Sequence, residues 1–135
     1  MDFLERLKDN IDGATSKEPA ITIGYLSPKS DSFCIYPIPG SRVIQKYYDG
    51  AKDQELNYEI AMKQTGKGIN EINTILWLVS THLEELSELT SLDGSFDFES
   101  VEITNKPFIN SLDDNKTYIF MLDIQAKITT YPKGE

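Results

Sequence analysis

The chain has 135 residues, 39% of them hydrophobic and 26% charged, with a formal net charge of −9. At this length we expect one domain spanning residues 1–135, with a hydrophobic core that needs neither disulfide nor structural metal. The acidic balance repels DNA and RNA; a single cysteine, Cys34, excludes an intrachain disulfide framework or a multi-cysteine zinc site, and a single histidine, His82, excludes a His-rich metal centre.

The longest apolar cluster, ILWLV at residues 75–79, is far too short to span a membrane. The first ten residues, MDFLERLKDN, are acidic and amphipathic, unlike a secretory signal, so assembly in a cytoplasm is expected.

Phe3, Leu4, Leu7 and Ile11 form one helical stripe, predicting a short helix that stops near Gly13. AITIGY (20–25) and SFCIY (32–36) read as short strands with the turn SPKSD between them. PIPGS (37–41) breaks the chain, since its prolines cannot donate to a ladder. RVIQKYY (42–48) and ELNYEIAMK (55–63) predict a long antiparallel hairpin whose connection opens on the turn dipeptide Asp49-Gly50. Leu56, Tyr58, Ile60 and Met62 share one face of its second strand.

Ile69, Ile72, Ile75, Leu76, Val79, Leu83 and Leu86 recur at spacings of three and four, so the main helix is expected over 69–88. FDFESVEITN (96–105) is a strand whose apolar phase slips between Phe98 and Val101, which predicts a bulge near Glu99 and Ser100. KPFINSLDDNK (106–116) reads as a loop. In YIFMLDIQAKITTY (118–131), Tyr118, Phe120, Leu122, Ile124, Ala126 and Ile128 make one apolar face. The other face is partly apolar, with Ile119 and Met121, and then polar, with Asp123, Gln125, Lys127 and Thr129. The order αββββαββ predicts an α+β fold: a mostly antiparallel sheet with one long helix and a short N-terminal helix packed on one face.

Motifs for chemistry are weak. TGKG (65–68) invites a phosphate-loop reading, but Ala61 stands where the earlier glycine belongs and Gly68 follows Lys67 in place of Ser or Thr. DGSFDFE (93–99) alternates acids like a calcium loop, yet Gly94 is second and Thr104 occupies the twelfth position, where glutamate is needed. Glu84 and Glu85 are adjacent on a helix and do not converge, and His82 is expected to pair with Glu85 on an exposed surface. Cys34 reads as a small buried hydrophobe. No catalytic, cofactor or metal site is expected. Trp77 stands off the main apolar stripe and belongs either to the core or to a contact with another chain. Tyr47 and Tyr48, as strand neighbours, point to opposite faces, so one of them lies away from the core.

RVIQKYYDGAKDQELNYEIAMK, GINEINTILWLVSTHLEEL, LDGSFDFESVEITNKPFI and DNKTYIFMLDIQAKI, in that order, resemble the minor capsid and tail terminator (tail-completion) proteins of long-tailed phages and prophages of Gram-positive bacteria. The resemblance covers residues 42–130. It implies a small α+β structural protein of the virion, assembled in the bacterial cytoplasm. Such proteins form a ring, often of six, that ends the tail tube and faces the head connector. The implied partners are further copies of the chain, the tail-tube protein and the connector. Ile119, Met121, Tyr47, Tyr48 and Trp77 are then the expected subunit-interface residues. Two other readings stay open: an adaptor of a mobile element that binds one bacterial protein through its sheet, and a small ligand-binding domain with a pocket between helix and sheet.

Overall fold

A computed structural model describes residues 2–15, 21–24, 32–63, 69–112 and 118–132. In chain order the elements are α1 (Phe3–Thr15), β1 (Ile21–Ile23), β2 (Ser32–Pro37), β3 (Arg42–Lys46), β4 (Lys52–Lys63), α2 (Ile69–Glu84), β5 (Phe96–Leu112) and β6 (Tyr118–Thr130). The fold is α+β, as its pattern predicts. Six strands form one sheet in the order β1-β2-β4-β6-β5, with β3 paired to the free part of β4.

Alternation builds the core. Phe120, Leu122, Ile124, Ala126 and Ile128 of β6 are all buried. Their direct partners on β4 include Met62, Ile60, Tyr58 and Leu56, the four residues the sequence pattern puts on one face. Ile72, Leu76, Val79 and Leu83 of α2 cover that face, and they fall in one cluster with Leu122, Ile124 and Ile128. Phe3, Leu7 and Ile11 bring α1 onto the same face. The Phe3 ring lies 5.9 Å from Tyr58 and meets Phe96 edge-on at 5.1 Å. Both helices therefore share one side of the sheet. The N-terminal helix is longer than expected, running past Gly13 to Thr15, while the main helix ends at Glu84 rather than 88.

Three expectations about the strands need correction. First, β1 and β2 pair parallel, Ile21 opposite Phe33, so no hairpin joins them. The segment SPKSD lies outside the described residues. Second, the β3–β4 ladder is short: only residues 42–46 and 52–55 pair, because β4 changes neighbour to β2 beyond that point. Third, residues 106–112 are strand rather than loop.

The bulge predicted near Glu99 is present between Phe98 and Ser100, and it returns Val101 and Ile103 to the core side. Three more register shifts follow, between Ile103 and Asn105, between Asn105 and Phe108, and between Ile109 and Ser111. They let the 17 residues of β5 lie along the 13 of β6. Repeated shifts scramble the period of two, and Pro107 adds a loop signal to a strand that tolerates it as an edge.

Candidate interaction surfaces

The second face of the sheet is built by the residues between those of the core. Among the described elements no helix lies on it. Ile119 and Met121 sit there half-buried, as expected, at one end of β6. Met121 is opposite Ala61 on one side and Phe108 on the other, giving a small apolar zone.

A polar zone follows. Glu59 of β4 and Asp123 of β6 are direct cross-strand partners. The Tyr36 hydroxyl donates to Glu59 Oε1 at 2.6 Å, and Asn105 Nδ2 donates to Asp123 Oδ2 at 2.8 Å. Asp123 is buried, and its Oδ1 meets no donor among the groups that ordinarily carry a proton. Burial, and then the hydrogen bond to Asp123, holds the Glu59 carboxyl above its ordinary range. In its protonated form Glu59 would give Asp123 Oδ1 a donor, which is why the neighbouring carboxyl favours the proton on Glu59. Burial and the Glu59 carboxylate together push the Tyr36 hydroxyl up as well. Cys34 is fully buried, and burial raises its thiol to about 11. One turn of the pleat further on, Glu55 is compensated differently, by Arg42 at 2.8 Å and Lys127 at 3.9 Å.

The second surface is an arm. Every residue from 41 to 50 is exposed. Both tyrosines project: Tyr47 is exposed and Tyr48 wholly so, at 112%. One of them is expected away from the core; both lie away from it. Ile44 stands 53% exposed at the register shift of β3.

At its turn the arm folds back on Pro132, just beyond β6. Gly50 has φ +90°, and a Cβ there would lie 2.7 Å from Pro132 Cγ, so the turn needs glycine twice over. The result is a shallow groove of about 540 Å³ lined by Tyr47, Tyr48, Asp49, Asp53, Thr129 and Tyr131, with Ala51 at its floor. Tyr47 OH and Thr129 Oγ1 donate to the two oxygens of Asp53 at 2.6 and 2.7 Å. These bonds hold Asp53 below the usual carboxylate range. The Tyr131 hydroxyl donates to Asp97. Its proton is held more tightly by that bond and by the nearby charges of Asp97, Asp49 and Asp53.

Trp77, the remaining expected interface residue, lies on the outer side of α2, 43% exposed, next to exposed Leu78. Lys106 Nζ is 5.4 Å from its ring centroid and pairs with Glu84 at 2.9 Å. The core alternative for Trp77 is thus excluded. His82 does not pair with Glu85; its Nε2 lies 2.5 Å from Asn10 Oδ1, tying α2 to α1. Asp93 of the calcium-like run closes a turn, accepting from Ser91 Oγ and Ser95 N. The Ser95 side chain first, then the Ser91 hydroxyl and the Ser95 backbone N–H, hold its carboxyl well below the usual range. Among the described residues no group of three or more His, Cys, Asp or Glu could hold a metal. The TGKG segment lies outside the described residues.

The five expected interface residues do not form one patch. Ile119 and Met121 lie at one end of the second face, Tyr47 and Tyr48 on the arm, and Trp77 on the helical side. Tyr36, Glu59 and Asn105 escaped the sequence reading. Their signal is visible only once register is known, because it consists of residues facing Asp123 across two different strands.

Among the described elements, both helices lie on one side of the sheet, and the arm is exposed. Residues 6–130 match the family model described as bacteriophage tail terminator protein. The chain belongs to that family. One solved structure superposes with a TM-score of 0.50 at 14% sequence identity, covering 97% of this chain and 93% of its own. That likeness supports the fold. No curated protein sequence matches, and no described helix is long and apolar enough to cross a membrane.

Proposed function

We propose that the protein is a virion component that terminates the tail: copies form a ring on the tail tube, stop its growth and offer a surface to the head connector. Its role is structural rather than catalytic. Its partners are further copies of itself, the tail-tube protein and the connector. The observation that carries this reading is the second face of the sheet, where Ile119, Met121 and Phe108 are half-buried and none of the described helices lies. A ring is a closed heterologous assembly and needs two unlike patches per subunit. The open sheet face and the arm are two such patches. A net charge of −9 also suits a lumen through which DNA passes without sticking.

Changing Ile119 and Met121 together to Asp tests it. We expect the circular dichroism of the wild type and loss of tail capping. Unfolding of the double variant would make the second face internal core. A folded variant that still caps tails would move the interface off this face.

A further inference from the structure

The arm carries opposite charges on its two faces. On one side are Asp49, Asp53 and Asp97, among the rings of Tyr47, Tyr48 and Tyr131. Their oxygens accept tyrosine and threonine hydroxyls and one backbone N–H, that of Ala51. No cation pairs with any of the three among the described residues. On the other side are Lys46 and Lys52. They are direct cross-strand partners, an arrangement in which like charges repel. Neither makes an ion pair among the described residues. The ladder places Asp53, opposite Gln45, on the face away from this lysine pair.

We propose that the arm joins copies of the chain: the acid–tyrosine groove of one copy receives Lys46 and Lys52 of the next. This rests on the terminator reading and names the contact that closes the ring. Carboxylates beside aromatic faces are the chemistry that recognises an ammonium group. The other acids near the sheet centre need no such partner. Glu55 already has Arg42 and Lys127, and Glu59 accepts the Tyr36 hydroxyl beside Asp123, which accepts from Asn105. Opposite charges on opposite faces also fix the symmetry. A two-fold stacking of arms would bring like faces together, whereas head-to-tail stacking brings unlike faces together, the contact a ring needs when its rotation closes.

Carbodiimide cross-linking, which joins a lysine to a carboxylate in contact with it, reads the contact directly. The full chain is used at high concentration and on tail tubes, as an equal mixture of unlabelled and nitrogen-15-labelled protein. Isotope-mixed links from Lys46 or Lys52 to Asp49, Asp53 or Asp97 are expected. Their absence overturns the proposal, whether or not the protein caps tails; a wild type that links but does not cap overturns the terminator reading alone. In parallel, Lys46→Glu with Lys52→Glu, and Asp49→Asn with Asp97→Asn, should each keep the wild-type melting temperature and weaken self-association at least about tenfold. Mixing the two variants should restore a dimer, since one intact groove then meets one intact lysine pair. A groove variant that keeps its ring but leaves the tube would show that the tube protein fills the groove, and the proposal would fall.

Discussion

The two faces of β6 are made by alternate residues of one strand, yet they are organised by different rules. On the helical side, Phe120 to Ile128 is apolar at every second position, and each side chain is closed off by α1, α2 or a neighbouring strand. Shape and hydrophobic transfer decide what fits there. On the open side, polar residues are satisfied sideways, along the sheet, by strands to the left and right. Gln125 donates to Asn57 at 3.1 Å and Thr129 to Asp53 at 2.7 Å. The polar part of this face is thus largely satisfied within the single chain, while Ile119, Met121 and Phe108 stay half-buried at its apolar end, beside the fully buried Cys34 and Ala61.

Breaking the comparison begins with the closed face. Leu122→Ala should cost about 2–5 kcal/mol in urea unfolding, whereas Met121→Ala, one residue away on the open face, should cost about 1 kcal/mol or less. Equal losses would mean that both faces are core. Next in size is Gly40→Ala, in the turn that leads into β3. Gly40 has φ +109°, and a Cβ would come within 2.5 Å of Asn57 Nδ2, on the open face. A loss of roughly 1–3 kcal/mol is expected, visible as a lowered thermal midpoint.

The polar centre of the open face should respond in the opposite direction. Glu59→Gln supplies an N–H for Asp123 Oδ1 at every pH, so it should raise stability at pH 7 by about 1 kcal/mol. The sign follows from linkage. The folded state raises the Glu59 carboxyl above its ordinary 4.5, so between that value and the folded one the native state holds more protons than the unfolded chain. Wild-type stability from this group is full below 4.5 and is lost as pH rises through the folded value. The gain from glutamine should therefore vanish in acid; a gain that persists below pH 4 would show that no proton is shared. Smallest of all, Ser80→Ala removes a buried hydroxyl that has no partner on the helical side. It should leave stability unchanged or improve it by about 1 kcal/mol, as measured by calorimetry.

The closed face was legible in the sequence because burial on one side imposes a period. Leu56 to Met62, Phe120 to Ile128 and the stripe of α2 all follow such periods, and so does the single slip at Glu99. Legibility ended where period ended. Three further slips concealed the second half of β5, and the parallel pairing of β1 with β2 leaves no local mark. Within the candidate site, Ile119 and Met121 were placed on the correct face, but the Glu59–Asp123 pair depends on which strands neighbour β6. That is a long-range property. The groove likewise joins residues near 50 to others near 97 and 130, which no local window contains.

The four slips of β5 have a consequence for solubility. The outer edge of a sheet is a row of unpaired N–H and C=O groups on which a strand from another molecule can crystallise, one chain after another. Along β5 that row is interrupted at four places and lacks an N–H at Pro107. An incoming strand would meet no evenly spaced ladder for more than a few residues. The irregular edge disfavours addition of a strand from another copy along β5. Strand addition along β5 is thereby hindered in a molecule proposed to bring another polymer's growth to a halt.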